Sequence, residues 1–228
     1  MIRTEALSAG YDGVPVVPGL DLEIPTGQLV ALLGKNGMGK TTLLRTIAGG
    51  LPRLGGEVLI DGIAQRPGRA DLTARAGLSF LPDDRGVFPR LTVEENLRLA
   101  RRRGWEPPVD LAAIFPVITE RSSVAAGDLS GGQKQQVGLA RAILAGERVI
   151  LVDEFSQGLQ PSIVHGVLEA FRVLADSGVT VLLVDQSPDP LVDYADRVLA
   201  MAKGRLELDL PAAEVRADVD RLLSFLVV

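Results

Sequence analysis

Apolar residues fall along this chain in short continuous runs: Leu29 to Leu33, Arg148 to Val152 with a single polar residue at its start, and Val179 to Val184. Runs of that length predict strands covered on both faces, as in a parallel sheet. Shorter alternating or glycine-bounded segments, Ile2 to Ser8, Asp21 to Ile24, Gly56 to Gly62 and Leu78 to Leu81, predict further strands. Arg197 to Met201 and Arg205 to Leu210 predict a closing pair around Lys203-Gly204. Gly10-Tyr11-Asp12-Gly13 reads as a turn between the first two.

Helical spacing takes over elsewhere. Thr41 to Ala48 continues as a helix after a glycine-rich loop, and Thr92-Val93-Glu94-Glu95 is a capping box opening a helix to about Arg103, with Val93, Leu97 and Ala100 on one face. Ser130 to Ala145 predicts another helix. Pro161 sits in the first turn of one whose Ile163, Val167, Phe171 and Leu174 share a face, and Ala212 to Leu226 predicts the last. Between Arg103 and Gly127 the pattern is helical or irregular, with no strand. Strands alternating with helices on both sides of a helical middle predict one α/β domain, its core from residues 1–83 and 141–228, with a helical insertion at about 84–140.

Composition narrows the chemistry. A chain of 228 residues, 46% hydrophobic, has ample material for a core. With no cysteine and one histidine, disulfides, thiolate metal sites and histidine-rich metal centres are excluded, which fits a reducing cytoplasm. No secretory h-region opens the sequence and no apolar run approaches the ~20 residues of a membrane span, so a soluble chain is expected. A net charge of −5 offers no general attraction to nucleic acid, and Arg101-Arg102-Arg103 is read as a helix C-terminus rather than a DNA patch.

The chemical centre is Gly34-Lys35-Asn36-Gly37-Met38-Gly39-Lys40-Thr41-Thr42, between the Leu29 strand and the next helix. Gly34, Gly39, Lys40 and Thr41 fit G-x-x-x-x-G-K-[ST], in which glycines let backbone N–H groups turn onto phosphate oxygens. Gly34, Asn36, Gly37, Gly39, Lys40, Thr41 and Thr42 are therefore expected to hold a nucleotide. Lys40 reaches its β- and γ-phosphates and Thr41 ligates Mg²⁺. Asp153-Glu154 ends the Arg148 strand, where open parallel sheets bind ligands. Asp153 would hold Mg²⁺ through water and Glu154 would polarise the attacking water, so Glu154 and Lys40 are the expected catalytic groups. Leu129-Ser130-Gly131-Gly132-Gln133 reads as an S-x-x-Q capping box, and equally as a helix N-terminus that presents N–H groups to an anion.

This LSGGQ stretch, lying between a Walker A loop and a strand ending in Asp-Glu, resembles the signature motif of ATP-binding-cassette (ABC) ATPases, and the resemblance covers essentially the whole chain. It implies a P-loop NTPase core carrying an antiparallel β subdomain and an inserted α-helical subdomain, with ATP and Mg²⁺ as ligands. It implies that Ser130, Gly131, Gly132 and Gln133 contact a nucleotide held by a partner, and that Tyr11 stacks on adenine. Ser156-Gln157-Gly158-Leu159 resembles the D-loop, with Phe155 in place of the usual proline. Asp83 stands at the Q-loop glutamine position, with potential contact to Mg²⁺ or its water. Gln186 stands where a switch histidine is expected; it can hydrogen-bond the γ-phosphate or the nucleophilic water but cannot titrate near neutrality. His165, the single histidine, is expected on the polar surface of the Pro161 helix.

Leu81 to Leu97, the Gly-x-Asn-Gly-Met-Gly-Lys loop and the Val-Asp-Gln strand end are together similar to the LivF-type ATPases of branched-chain amino-acid importers. That resemblance implies a second ATPase subunit, identical or related, two membrane permease subunits and, indirectly, an extracytoplasmic solute-binding protein. It also implies a cytoplasmic position, peripheral on the inner face of the membrane. Val87-Phe88-Pro89 is expected either in the groove that receives a permease helix or simply in the core. Transport of urea, amides, other small solutes or lipid stays open, as do a non-transport cassette acting on nucleic acid or ribosomes and a regulatory subunit without turnover.

Overall fold

The computed structural model describes residues 1–218, 222 and 225. The chain runs β1 (Ile2–Tyr11), β2 (Val14–Ile24), β3 (Leu29–Leu33), α1 (Lys40–Ile47), β4 (Arg53–Ile60), β5 (Ile63–Ala64), α2 (Ala70–Arg75) and β6 (Leu78–Leu81). It continues through α3 (Val93–Ala100), α4 (Leu111–Ile114), α5 (Val117–Glu120) and α6 (Gly131–Ala145). Then follow β7 (Val149–Val152), α7 (Pro161–Asp176), β8 (Thr180–Asp185), α8 (Leu191–Tyr194), β9 (Arg197–Ala202), β10 (Arg205–Pro211) and α9 (Ala212–Ala217).

Two sheets divide the described strands. One is antiparallel, in the order β2-β1-β4-β5; the other runs β10-β9-β3-β8-β7-β6, with neighbours parallel from β9 to β6 and β10 antiparallel at its edge. The central strands β3, β7 and β8 are buried at every position, which is why β3 and β7 read as unbroken apolar runs and β8 as an apolar run between Thr180 and Asp185. Alternate residues serve different cores. Val30, Leu32, Leu182 and Leu151 pack with α1 and the antiparallel sheet, while Ala31, Leu183, Ile150 and Val152 pack with α6 and α7. Among the described residues between β6 and β7 the chain is helical or irregular apart from one isolated bridge, Thr92 with Ala125.

Several local forecasts match. Thr92 and Glu95 form the reciprocal capping box of α3, and Ser130 and Gln133 that of α6. Val167, Phe171 and Leu174 of α7 are buried with Ile163 at the margin. His165 is exposed, its ring 3.2 Å from the Tyr194 hydroxyl.

Other forecasts are corrected. β2 begins at Val14 rather than Asp21: Pro15 and Pro18 break the pattern, yet β2 is an edge strand, where a missing N–H is tolerated. β1 extends to Tyr11, which pairs with Val14, so the tight turn is Asp12-Gly13, both at positive φ. Likewise α3 stops at Ala100, and Arg101 to Arg103 are not its last turn. The Arg102 guanidinium instead bonds the carbonyls of Ala74 and Arg75 at the end of α2 and pairs with Glu147. Its charge thus meets a helix C-terminus, but of a neighbouring helix. The closing helix α9 spans Ala212–Ala217 and is followed by a non-helical Asp218; of the rest of the forecast to Leu226, Leu222 and Phe225 are helical and the other residues lie outside the described ones.

Candidate functional site

The phosphate-type loop joins β3 to α1 on the edge where β7 and β8 also end. Its backbone requires glycine. Gly39 caps α1 at φ 98°, and a Cβ on Gly34, at φ 153°, would lie 2.5 Å from the Met201 carbonyl. The β9–β10 turn supports the loop from below, with the Gly204 N–H donating to the Met38 carbonyl at 3.0 Å.

Asn36, Gly37, Met38, Gly39, Lys40, Thr41, Thr42, Asp153 and Glu154 line one cavity of about 300 Å³, closed on one side by Val16 of β2. Lys40 is only 6% exposed, and its ammonium donates to the carbonyls of Gly34 and Lys35, curling back over the loop. Burial pulls its pKa below the usual value, while the charges of Asp153, Glu154 and Asp185 push the other way. Asp153 is 1% exposed, and neither carboxylate oxygen has a hydrogen-bond partner of good geometry; the Thr41 hydroxyl interacts with it only outside that geometry. Burial raises its pKa above all; Thr41 opposes this, Asp83 and Glu154 add to it, and Lys40 opposes it. Two bare, buried carboxylate oxygens are costly unless something meets them, and a divalent cation fits. Among the described residues there is no cluster of three histidine, cysteine or acidic side chains, but Mg²⁺ held by one carboxylate, a threonine hydroxyl, phosphates and water needs none.

Glu154 follows Asp153 at φ 49°. Gln135 of α6, 2% exposed, holds this turn by donating to the carbonyls of Glu154 at 3.1 Å and Phe155 at 3.0 Å. The Gln186 amide donates to Glu154 Oε1 at 3.1 Å, so the glutamine in the switch position touches the expected base. Beneath them Asp185 accepts from Ser156 and from the N–H groups of Gln186 and Ser187.

Ser130, Gly132 and Gln133 lie elsewhere. They line a second cavity of about 340 Å³ together with Gln136, Gly158 and Gln160, and it shares no residue with the first. Gly132 packs so closely on this loop that a Cβ would lie 2.2 Å from the Gly158 carbonyl. Gly131 faces the Arg85 guanidinium. Asp83 also stands apart from the cavity lining: it is exposed and pairs with Arg45 at 3.1 Å. Tyr11, 44% exposed, lies outside the lining as well, although Val16 from the same hairpin reaches it. Phe88 is exposed with Arg141 stacked 4.8 Å from its ring centre, so it is not a core residue. Gln135, Val16 and Arg45 carried no signal in the sequence, because none belongs to a contiguous phosphate-binding pattern; Asp185 stood in the Val-Asp-Gln strand end, but with no role of its own.

The chain is similar to known proteins over most of its length. Residues 17–157 match the family model described as ABC transporter. The high-affinity branched-chain amino acid transport ATP-binding protein BraG of Pseudomonas aeruginosa is 32% identical over 211 residues, covering 90% of this chain and 91% of that one. The Fe(3+) ions import ATP-binding protein FbpC of Pseudomonas fluorescens is 34% identical over 217 residues, covering 90% of this chain and 60% of that one. A solved ATP-binding subunit of an ABC transporter superposes with a TM-score of 0.83 at 26% identity, over 96% of this chain and 93% of that one.

Proposed function

This chain belongs to the ABC transporter ATPases, and on that premise we propose that it powers an importer of branched-chain or other hydrophobic amino acids. The observation that carries the catalytic part is the meeting of Lys40, Thr41, Asp153 and Glu154 in one cavity, with Gln186 bonded to Glu154. Asn36, Gly37, Gly39, Lys40 and Thr42 bind the phosphates of ATP, Lys40 exchanging its carbonyl partners for phosphate oxygens. Thr41, and Asp153 through water, would hold Mg²⁺, which neutralises charge on the β- and γ-oxygens when bound. Asp83, paired with Arg45 through Oδ1, would contact that water. Glu154 accepts a proton from the water that attacks the γ-phosphorus, yielding ADP and phosphate. Gln186 orients the carboxylate and that water. Tyr11, at the rim, stacks on the base.

The separate cradle of Ser130, Gly131, Gly132 and Gln133 receives the nucleotide of a second cassette, identical or related. ATP thereby joins two subunits head to tail, and hydrolysis releases them. Two permease subunits anchor the pair to the cytoplasmic face of the membrane and take up the motion, supplied with cargo by an external binding protein. No helix among the described residues is long and apolar enough to cross a membrane itself. The amino-acid cargo rests on the resemblance to BraG and on Gln186 and Asp83 standing in for histidine and glutamine.

Replacing Glu154 with Gln should leave ATP binding intact, lower turnover by about 10²–10⁴-fold as expected for loss of a general base, and accumulate the ATP-bound dimer. Undiminished phosphate release would remove Glu154 from the role. Co-purification with two membrane subunits and amino-acid uptake tests the transport reading; capture of ribosomes or DNA in their place would overturn it.

A further inference from the structure

Asp185 ends β8 as a carboxylate 8% exposed, and the reaction just described assigns it no part. Its Oδ1 accepts from the backbone N–H groups of Gln186 at 2.7 Å and Ser187 at 3.3 Å. Taken alone, those bonds are an ordinary side-chain cap on the turn leaving a strand. The other oxygen does something a local cap does not. Oδ2 accepts from the Ser156 hydroxyl at 2.6 Å and from the Ser156 N–H at 3.3 Å, twenty-nine residues earlier in the chain. One buried anion thus ties the loop after β7 to the loop after β8, and its desolvation is offset by four donors.

The two tied loops carry different ends of the chemistry. On one side, Gln186 donates to Glu154 Oε1 at 3.1 Å. On the other, Ser156 lies two residues from Gly158, whose carbonyl faces Gly132 at the start of α6. A contiguous path therefore runs from the second cradle through Gly158, Ser156, Asp185 and Gln186 to Glu154 within a single chain. We propose that Asp185 is a positioning residue for hydrolysis, a clasp that sets the Gln186 amide, and through it the Glu154 carboxylate, according to where the Ser156 loop is held. A loop that shifts when the second cradle is occupied would draw on Asp185 and move Gln186 with it. A charge-accepting clasp suits this task, since charge-assisted bonds are short and directional.

This inference rests on Glu154 being the base, and the test separates the two. Replacing Asp185 with Asn keeps size and the Oδ1 acceptor but removes the charge, sets an N–H donor against the Ser156 N–H and forces the Ser156 hydroxyl from donor to acceptor. In the purified chain, D185N should lower kcat about ten-fold or more, with KM for MgATP and equilibrium ATP affinity within about two-fold. Ser156→Ala, which alters only a loop side chain, should lower kcat in the same manner. The double variant should be no slower than D185N, as for two ends of one contact. Without nucleotide, amide hydrogen exchange in D185N should accelerate in both peptides, 154–160 and 185–189. Full kcat in D185N, additive losses, a matching loss of ATP affinity, or faster exchange in 185–189 alone would each overturn the clasp. If Glu154→Gln hydrolyses at full rate, the base assignment fails while the exchange result still judges the clasp. An inactive Glu154→Gln beside a full-rate D185N removes the clasp alone.

Discussion

The N-termini of α1 and α6 are both glycine-flanked helix starts of the kind that attracts anions, yet they are built for opposite situations. At α1 the cap is Gly39, with no side chain to satisfy the first turn, and the surrounding groups are charged: Lys40, its ammonium turned onto the Gly34 and Lys35 carbonyls, and Asp153, whose two oxygens have no hydrogen-bond partner of good geometry. At α6 the Ser130 hydroxyl accepts from the Gln133 N–H at 3.3 Å and the Gln133 side chain accepts from the Ser130 N–H at 3.0 Å. Of the cations near this start, Lys134 donates to the Gly127 carbonyl, while the Arg85 guanidinium faces Gly131 with its buried Nε unpartnered. The α1 cradle is therefore built around an acidic pair that calls for a cation with its ligand, whereas the first turn of α6 is closed by its own capping box and leaves Arg85 Nε and Gln136 Oε1 unpartnered around it. A helix N-terminus supplies orientation in both; only at α1 does the sheet deliver the acidic pair that turns orientation into chemistry.

Three changes would break or sharpen that contrast. Lys40→Ala should have the largest effect, lowering MgATP affinity about 100-fold, the size expected when charge-assisted bonds to phosphate are lost. Titration calorimetry reads this, and an unaltered affinity would take Lys40 out of the cradle. Gly132→Ala should act on α6 alone. Its Cβ meets the Gly158 carbonyl, so ATP binding by the isolated chain stays unchanged while ATP-dependent dimerisation in a Glu154→Gln background weakens about ten-fold, the cost of overpacking a tight contact. Equal loss of both would merge the two cradles into one site.

The smallest change concerns Asp153. Its folded-state pKa is raised by burial, so the folded chain holds this proton more tightly than the unfolded one, and the carboxylate is a penalty once ionised. Stability linked to it is present below the usual carboxylate range and is lost as pH rises through the raised value. Asp153→Asn should accordingly stabilise the nucleotide-free chain at neutral pH by about 1 kcal/mol, or roughly 3 °C in melting temperature, with the gain shrinking toward acid pH. The same variant should forfeit the extra stabilisation that Mg²⁺ adds to ATP. Thermal melts across pH, with and without Mg²⁺, check both, and an Asp153→Asn chain less stable than the native one at neutral pH would contradict the buried-charge account.

Much of this was legible from short-range pattern. The fully buried strands announced themselves by continuous hydrophobicity, and the two capping boxes by residues three apart, because such signals depend only on neighbours along the chain. Boundaries were less legible where a compensation came from elsewhere. Pro15 and Pro18 are acceptable in β2 only because it is an edge strand, and Arg102 serves the C-terminus of a helix far earlier in the chain. The candidate site divides along the same line. Gly34 to Thr42, Asp153-Glu154 and Ser130 to Gln133 are contiguous motifs whose chemistry is written in their spacing. Gln135 beneath the Glu154 turn and Asp185 beneath Ser156 make contacts across 19 and 29 residues, a reach that local spacing does not encode.

The sequence by itself determined the α/β class, the family, the phosphate loop and the acidic strand end, since each is encoded by residue types at fixed local offsets. Only the tertiary structure decided that Lys40 and Glu154 share one cavity while Ser130 lines another, that Asp83 is engaged by Arg45, and that Gln186 reaches Glu154 over an Asp185 clasp. The physical reason is the parallel sheet. Adjacent strands β7 and β8 bring the loops that follow them to the same edge, however far apart they lie in the chain, and side-chain distances there follow from packing rather than from spacing.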